Sequence, residues 1–435
     1  MALKPAPGHA LERHLHRAKT HLKLALIQAR HRAALRRKRD RTSLRVVFVV
    51  LTESTWKLET LLREMEADPA FDTAIAVAAM RTLDDTTRQA EYENAMSYFR
   101  TRGGAGPVLG TPGEIAGFDP DIVFLTNPHF VTDPAFHFKL MDRYLCCYVP
   151  YHHEVVQYED NQAQYNQFFH NAMWRIFAPH TVSGRIFRTV SRRKGRNVVV
   201  TGYPACEPLL APPGDEADVW KKQDRDKLKI IWAPHHTIDM PQLPYANFLR
   251  YAEAFVALAD RYRDRVQWAF KPHPLLRSKL YRHPDWGRER TDAYFGYWAE
   301  SGHCQLELGS YVDLFRQSDA MIHDSSSFLA EYLYLDKPVM FLQSVENIAD
   351  FLNDFGLEAY RACEHARRFE EVESFVRALA DGSGRARREA DFARHPEREA
   401  FYERNIAPHF LEAPSRKIAR HIKSHFPALR GGQNG

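Results

Sequence analysis

Three short polar clusters, each directly after an apolar run, carry most of the chemistry that the sequence offers. They are residues 234–237 (PHHT) after LKIIWA, residues 271–274 (KPHP) after VQWAF, and residues 324–327 (DSSS) after DAMIH. Apolar runs that alternate with helix-like segments are typical of parallel strands, and open parallel sheets bind ligands beyond the carboxyl ends of their strands. The three clusters are therefore predicted to form one ligand site, although turn residues with satisfied hydrogen bonds would give the same pattern.

The DSSS cluster suits a phosphate-bearing ligand. The residues that directly precede a predicted helix are Asp324, Ser325, Ser326 and Ser327. Asp or Ser can cap such a helix, whose free N–H groups and positive end attract a phosphate. Glu331 lies four residues after Ser327 on the same predicted helix face, where its carboxylate can accept hydrogen bonds from ribose or polyol hydroxyls. Plain N-capping and a surface glutamate are the simpler alternatives.

Histidines dominate the other two clusters. His273 stands between two prolines beside Lys271, and it is predicted to meet a diphosphate, either as a cation or as the general acid for a leaving phosphate. His235 and His236 form a similar pair, of which at least one should face the ligand. Adjacent histidines lack the i, i+4 spacing of helical metal ligands and no HExxH occurs, so neither a catalytic metal nor another cofactor is expected.

A fourth cluster lies earlier in the chain. Tyr151, His152, His153 and Glu154 follow the apolar run LCCYVP. We expect this cluster to belong to the first domain and to lie across a cleft from the other three. There His152 or His153 would be the base that activates an acceptor hydroxyl.

The alternation of apolar runs and helical patterns predicts two α/β domains, each with a parallel sheet covered on both faces. We place the first domain at residues 45–210 and the second at residues 211–395. The Pro-rich stretch at residues 206–218 (CEPLLAPPGDEAD) is the expected linker. Residues 396–435 are predicted to form a charged, mostly helical segment with a loose tail.

Residues 1–44 precede the first domain, and residues 9–41 are predicted to form a basic amphipathic helix. Twelve Lys or Arg lie from Arg13 to Arg45, against a single acid, Asp40. The apolar positions of the predicted helix are Leu11, Leu15, Ala18, Leu22, Leu26, Ala29 and Ala33. Such a helix can lie on an anionic membrane surface, and a solvated helix is the alternative.

The rest of the sequence limits the compartment and the class of partner. Five cysteines without a CxxC motif favour a reducing, cytosolic compartment. No apolar run approaches the ~18 residues of a membrane span, and no signal peptide is recognised. The basic segment lacks the interleaved aromatic residues of a nucleic-acid stacking platform, so no specific nucleic-acid partner is expected. Together these features predict a cytoplasmic protein that is peripheral on the inner face of the membrane.

The segment DSSSFLAEYLYLDKP, residues 324–338, resembles the D-Y-S-S-x-x-x-D motif, followed by K-P, of the CDP-glycerol glycerophosphotransferase family. The positions that match are Asp324, Ser326, Ser327, Lys337 and Pro338, with Glu331 in place of the second Asp. KPHP at residues 271–274 matches a second hallmark, and VTGYP at residues 200–204 resembles the end of the family's first domain. The resemblance runs from about Tyr148 to Gln343.

This resemblance implies a GT-B-like fold, with two Rossmann-like domains that face each other across a cleft. It implies transfer of a polyol phosphate from a CDP-linked donor to a hydroxyl of a lipid-linked or glycan acceptor at the membrane, with release of CMP and no metal. Carried over by motif, His273 would contact the donor diphosphate, while Ser326 and Ser327 would bind a donor phosphate. Glu331 would bind a donor hydroxyl.

Two departures from the family motifs leave alternatives open. The family usually has W-H-G where this chain has residues 150–153 (PYHH), and A-P-T followed by Arg where it has residues 233–236 (APHH). A relative that uses another CDP-polyol, or a nucleotide sugar in glycosyl transfer, would have a similar sequence. A non-catalytic partner of polysaccharide assembly at the membrane is the remaining alternative.

Overall fold

The computed structural model describes residues 7–104, 106–157, 159–212, 214, 217–240, 243–381 and 396–429, with residues 7–17 and 159 described by their backbone alone. The chain divides into two compact units. The first comprises Met1–Tyr151, Tyr158–Ala205 and Glu412–Gly435, and the second comprises His152–Gln157 and Cys206–Leu411. The segment predicted at residues 396–435 is thus shared between the units, and His152 and His153 belong to the second unit rather than to the first.

A parallel sheet forms the centre of the first unit. Its strands are β1 (Leu44–Val50), β2 (Phe71–Val77), β3 (Val108–Leu109), β4 (Ile122–Leu125), β5 (Leu145–Tyr148), β6 (Arg175–Ala178) and β7 (Val198–Val200). Their order across the sheet is β3-β2-β1-β4-β5-β6-β7. Strands β1 and β4 are almost entirely buried, as apolar strands covered by helices on both faces must be.

The second unit repeats this plan with a second parallel sheet. Its strands are β8 (Leu228–Ala233), β9 (Val266–Phe270), β10 (Cys304–Leu306), β11 (Ala320–His323), β12 (Val339–Leu342) and β13 (Glu364–Ala366). Their order is β10-β9-β8-β11-β12-β13. In both sheets the strand order reverses beside the first strand, between β1 and β4 in one and between β8 and β11 in the other. Such a reversal is where open α/β sheets bind ligands.

Helices occupy most of the connections between strands. They are α1 (Pro7–Arg37), α2 (Glu59–Glu66), α3 (Asp85–Thr101), α4 (Pro112–Phe118), α5 (Phe138–Met141), α6 (Gln162–Tyr165), α7 (Phe168–Ala172), α8 (Thr181–Val190), α9 (Phe248–Arg261), α10 (Leu276–Leu280), α11 (Gly287–Glu300), α12 (Val312–Gln317), α13 (Phe328–Glu331), α14 (Asp354–Arg361), α15 (Phe369–Asp381), α16 (Pro396–Phe401) and α17 (Pro414–Lys423). Helix α17 packs against α2 in the first unit.

One face of α1 packs on the first unit. Leu24 and Ile27 join its apolar core, and Lys38, just beyond the helix, forms a buried ion pair with Asp121. The apolar stripe predicted for membrane contact lies on the opposite face, where Leu22 is 64% exposed and Leu26 50% exposed. Leu11 and Leu15 of that stripe lie outside the described side chains. Within the described ranges, no helix is both long and apolar enough to cross a bilayer.

Candidate functional site

The polar clusters after β8 and β9 lie side by side at the carboxyl edge of the second sheet. Hydrogen bonds between the two chain segments continue past the strands, from Lys271 N to the Trp232 carbonyl at 2.8 Å and from His273 N to the Pro234 carbonyl at 3.0 Å. They bring three imidazole rings together. The ring centroids of His236 and His273 are 4.1 Å apart, and those of His235 and His236 are 4.5 Å apart.

Hydrogen bonds fix which nitrogen of His273 carries the proton. Its Nδ1 accepts the Leu275 N–H at 3.1 Å, so the neutral ring carries its proton on Nε2 and donates from there. The ligand atoms of the three histidines lie within 4.8 Å of one another, as in a loose metal site. A metal would need a free lone pair on His273, but Nδ1 already accepts a hydrogen bond and Nε2 carries the proton. An anion, in contrast, can accept a hydrogen bond from Nε2. The cluster therefore suits an anion better than a cation.

Burial keeps these histidines uncharged. It lowers the pKa of His236 to about 4, with the charge of Lys279 adding to the effect. Burial likewise lowers the pKa of His235 and His273 well below the usual value, and neighbouring histidines contribute. Lys279 forms an ion pair with Asp239. An anionic ligand would raise these pKa values again, because an adjacent negative charge favours the protonated ring.

Asp324 stabilises this edge of the sheet from inside the protein, and its side chain does not face the ligand site. Its side chain is fully buried, and its carboxylate accepts hydrogen bonds from the backbone N–H of His235 and of Asn247, both at 2.6 Å. Ser325 is also buried, and its N–H donates to His323 Nδ1 at 3.2 Å. The prediction that Asp324 caps the following helix is wrong, because its oxygens are used to fix the loop after β8 and the start of α9.

Ser326 and Ser327 remain available to a ligand. Both are partly exposed, and within the described part of the chain their hydroxyls form no hydrogen bond. Ser327 stands at the N-cap position of α13 in helical backbone conformation, so it does not cap the helix either. Helix α13 spans Phe328–Glu331 and continues as a tighter turn, Tyr332–Leu335. The serines therefore offer hydroxyl donors beside a very short helix.

His152 and His153 differ in burial and in hydrogen bonding. His153 is 1% exposed, its Nε2 lies 2.9 Å from the Tyr334 hydroxyl, and its ring stacks on Phe355. His152 is partly exposed, and its Nδ1 accepts the Glu154 N–H at 2.9 Å. Glu154 adopts a left-handed backbone conformation, with φ 54°, and this turn directs its N–H towards the His152 ring.

The first unit has a shallow recess at the reversal point of its own sheet. Its lining residues are Val49, Leu51, Leu125, Thr126, Asn127, His129, Val131, Thr132, Phe136 and His137. The sequence interpretation missed this site. The signal was present, because Asn127 and His129 directly follow the apolar run of β4, as the other clusters follow theirs.

Within the recess, His137 is buried and uncharged. Its Nε2 lies 3.3 Å from the Asn127 carbonyl, so the ring donates there and leaves Nδ1 as an acceptor. Nδ1 is buried and forms no hydrogen bond within the described residues. Burial lowers the pKa of His137 to about 4. The recess thus presents neutral hydrogen-bonding groups between apolar walls.

A family model described as CDP-Glycerol:Poly(glycerophosphate) glycerophosphotransferase matches residues 151–406, more than half of the chain. The chain belongs to this glycerophosphotransferase family. It is therefore an enzyme of the transferase class. No curated protein sequence matches it.

Solved structures share the fold of this glycerophosphotransferase. A variant of the wall teichoic acid polymerase TagF has a TM-score of 0.59 at 12% identity, with 98% of each chain covered. MnaA of S. aureus with UDP has a TM-score of 0.54 at 15% identity, covering 88% of this chain and 97% of that chain. The UDP-GlcNAc 2-epimerase of Neisseria meningitidis has a TM-score of 0.52 at 15% identity, covering 88% and 100%. These likenesses establish a GT-B-like fold with two Rossmann-like units.

Two motif lysines of this glycerophosphotransferase form hydrogen bonds to backbone carbonyls near the site. Lys337 donates from Nζ to the carbonyls of Phe315, Arg316 and Ser318, at 2.6–3.1 Å, and so closes the end of α12. Lys271 is buried, and its Nζ donates to the Gly309 carbonyl at 2.7 Å.

Glu331 also differs from the expectation drawn from its motif position. It is 1% exposed and acts on the buried Tyr334, whose pKa is raised by burial, by Cys206 and by Glu331. Because its carboxylate is buried, Glu331 is not accessible for the predicted contact with a donor hydroxyl.

Proposed function

We propose that this glycerophosphotransferase moves a polyol phosphate, with glycerol phosphate as first choice, from a CDP-activated donor to an acceptor hydroxyl. The observation that carries the proposal is the cluster of His235, His236 and His273 at the reversal point of the second sheet, inside the family-matched segment. The similar TagF is a wall teichoic acid polymerase and was also studied with CDPG. By analogy we place this enzyme in the synthesis of a cell-surface polymer of the teichoic acid or capsule kind.

The donor diphosphate would lie against the histidine cluster. His273 donates from Nε2 to a diphosphate oxygen, and the free hydroxyls of Ser326 and Ser327 supply further donors. A bound diphosphate raises the pKa of the nearby rings, so donor binding takes up protons. A protonated histidine then stabilises the charge that builds up on the departing CMP.

The transfer step breaks one P–O bond and forms another. The acceptor oxygen attacks the phosphorus that bears the polyol, and the bond from this phosphorus to the bridging oxygen breaks. The bridging oxygen leaves with CMP, and the hydroxyl proton passes to a base. Most of the rate in such transfers comes from positioning and from charge stabilisation.

His152 is our candidate for the base, since it is partly exposed whereas His153 is buried against Tyr334. In the structure, the neutral His152 ring carries its proton on Nε2, because Nδ1 accepts the Glu154 N–H. Acting as a base at Nε2 requires that proton to move to Nδ1 at the expense of this hydrogen bond, which costs about 1 kcal/mol. That cost is small beside the barrier to transfer.

The recess of the first unit is our candidate for the acceptor. It lies among residues 49–137, outside the family-matched segment. Neutral groups such as Asn127, His129 and Thr132 can hydrogen-bond to sugar or polyol hydroxyls, and the apolar walls can cover ring or chain carbons.

We also propose that α1 brings the enzyme to an anionic membrane surface on the cytoplasmic side. Its outward face carries Leu22, Leu26 and alanines, with basic residues on both flanks. Sedimentation with anionic vesicles tests this proposal. We expect binding that falls with salt and is lost when Leu22 and Leu26 are both replaced by Asp, while matched replacement of exposed Leu275 and Leu308 leaves it intact. Equal binding by both double variants would contradict it.

Nucleotide release from a panel of donors tests the transferase proposal. Purified enzyme is incubated with CDP-glycerol, CDP-ribitol, CMP-sugars or UDP-sugars, with and without a crude membrane-lipid or glycan acceptor. We expect acceptor-dependent CMP release from a CDP-polyol. Release of UDP, or of CMP from a CMP-sugar alone, would move the enzyme to glycosyl transfer. If no donor in the panel binds or reacts, the non-catalytic alternative is favoured.

A further inference from the structure

Two arginines of the first unit lie close together at the amino end of its sheet. Arg175 begins β6, and its Nη1 donates to the Trp174 carbonyl at 3.0 Å. Arg193 lies just before β7, and its Nη1 donates to the neighbouring Met173 carbonyl at 2.7 Å. Because both guanidinium groups bind consecutive carbonyls, they share one small region of the surface.

Neutral groups surround this arginine pair. Arg175 donates to His421 Nε2 at 3.0 Å and to His425 Nε2 at 2.7 Å, so both rings act there as uncharged acceptors. Among the described residues, no carboxylate forms an ion pair with Arg175 or Arg193. Burial lowers the pKa of Arg193 to about 10, and repulsion by Arg175 and Arg196 adds to this.

His31 of α1 completes the cluster. It is 6% exposed, and its Nε2 is buried without a hydrogen-bond partner in the described part of the chain. Burial lowers its pKa to about 4, and the charges of Arg193 and Arg175 add to the effect, so His31 is within electrostatic range of both arginines. Partly buried cations without a counter-charge and a buried polar atom without a partner are both costly. An anion would relieve all three groups.

We propose that Arg175, Arg193 and His31 form a binding site for a phosphate group. The guanidinium N–H groups that remain after the carbonyl and histidine contacts can donate to its oxygens, as arginine forks do in phosphate sites. The site lies where strands β6 and β7 begin, at the edge of the sheet opposite the strand ends that line the recess. It is therefore separate from that recess. The phosphate could belong to a lipid headgroup or to a free ion.

Phosphate-induced thermal stabilisation, measured at constant ionic strength against chloride, tests the site. For wild type we expect a melting-temperature rise of about 2–4 °C at a phosphate concentration well above Kd. Arg193→Gln should abolish the rise and Arg193→Lys should keep part of it. Arg192→Gln, which removes an exposed charge one residue away, should keep all of it. An equal rise in Arg193→Gln would show that the free ion does not bind at these arginines.

Vesicles of phosphatidylglycerol, with phosphatidylcholine as the neutral control, separate the two sources of phosphate. Loss of binding in Arg193→Gln but not in Arg192→Gln would identify a lipid phosphate, even if the free ion gave no thermal shift. Unchanged vesicle binding together with a lost thermal shift would identify a free phosphate. If Arg193→Gln alters neither vesicle binding nor thermal stability in phosphate, the site does not exist.

Discussion

The first and second units place different chemistry at the same position of the same kind of sheet. Beyond β8 and β9, three histidines converge, two lysines act on them electrostatically, and Ser326 and Ser327 offer free hydroxyls. Beyond β1 and β4, the corresponding recess holds His129, His137 and amide or hydroxyl groups between apolar walls. The second edge offers N–H and O–H donors that suit a diphosphate, and the recess suits a polyol or sugar, so we assign the donor to one unit and the acceptor to the other.

The largest effect should come from His273→Ala. Loss of the Nε2 donor should lower kcat by about 10²–10³-fold, the usual effect of removing a group that stabilises transition-state charge. His283→Ala is the matched control, since His283 also precedes a proline and its Nδ1 also accepts an N–H two residues on, from Asp285. Steady-state CMP release measures both. Similar turnover in the two variants would remove His273 from the mechanism.

A negative charge introduced at His236 should give the next largest effect. A glutamate in its place puts a carboxylate about 4 Å from the His273 ring, which repels the diphosphate. The KM for the donor should rise by at least about tenfold, with a smaller change in the KM for the acceptor. A donor KM that stays within about twofold of wild type would show that the diphosphate binds elsewhere.

Acid should destabilise both units through their buried histidines. Burial lowers the pKa of His170 in the first unit and of His323 in the second to about 3, below the unfolded value of 6.5. The folded rings stay neutral while the unfolded chain takes up protons, so stability is present above pH 6.5 and is lost as pH falls. At pH 5.5 each such histidine costs about 1.4 kcal/mol.

Urea unfolding between pH 7.5 and 5.5 measures this loss. His170→Gln should reduce the pH dependence of the free energy of unfolding by nearly one proton. A pH dependence that is the same in wild type and His170→Gln would show that folding does not lower the pKa of His170.

The smallest effect should come from the first-unit recess. His129→Ala removes one hydrogen-bonding group, and we expect the KM for the acceptor to rise about 3–10-fold. Donor binding and the slow hydrolysis of donor without acceptor should not change. A rise in the donor KM instead would contradict the division of roles between the two units.

The sequence contained enough information for the fold and the family. The apolar runs of β1, β4, β8, β9 and β11 are long and β-rich, so the parallel α/β prediction is confirmed, as is the family resemblance. The short edge strands β3, β10 and β13 were missed, because two or three residues carry no recognisable period.

Side-chain direction could not be predicted. Asp324 points inward because its carboxylate accepts the backbone N–H groups of His235 and Asn247. These groups come close to Asp324 only in the folded chain. For the same reason the motif gave no sign that Glu331 is buried. On α1 the apolar stripe was identified, but the opposite face, with Leu24 and Ile27, is the one that packs on the first unit. The site assignments to His152, His235, His236, His273, Ser326 and Ser327 stay predictions.

Phosphorus NMR of the reaction with CDP-glycerol and a hydroxyl acceptor tests the central claim most directly. Phosphoryl transfer breaks the diphosphate, so both diphosphate resonances should decay while a CMP monoester and a new phosphodiester grow in equal amounts. His283→Ala should give the same spectrum, and His273→Ala should leave the diphosphate intact. Product formation from any active donor with both phosphates still joined on the released nucleotide would contradict the account and assign the enzyme to glycosyl transfer.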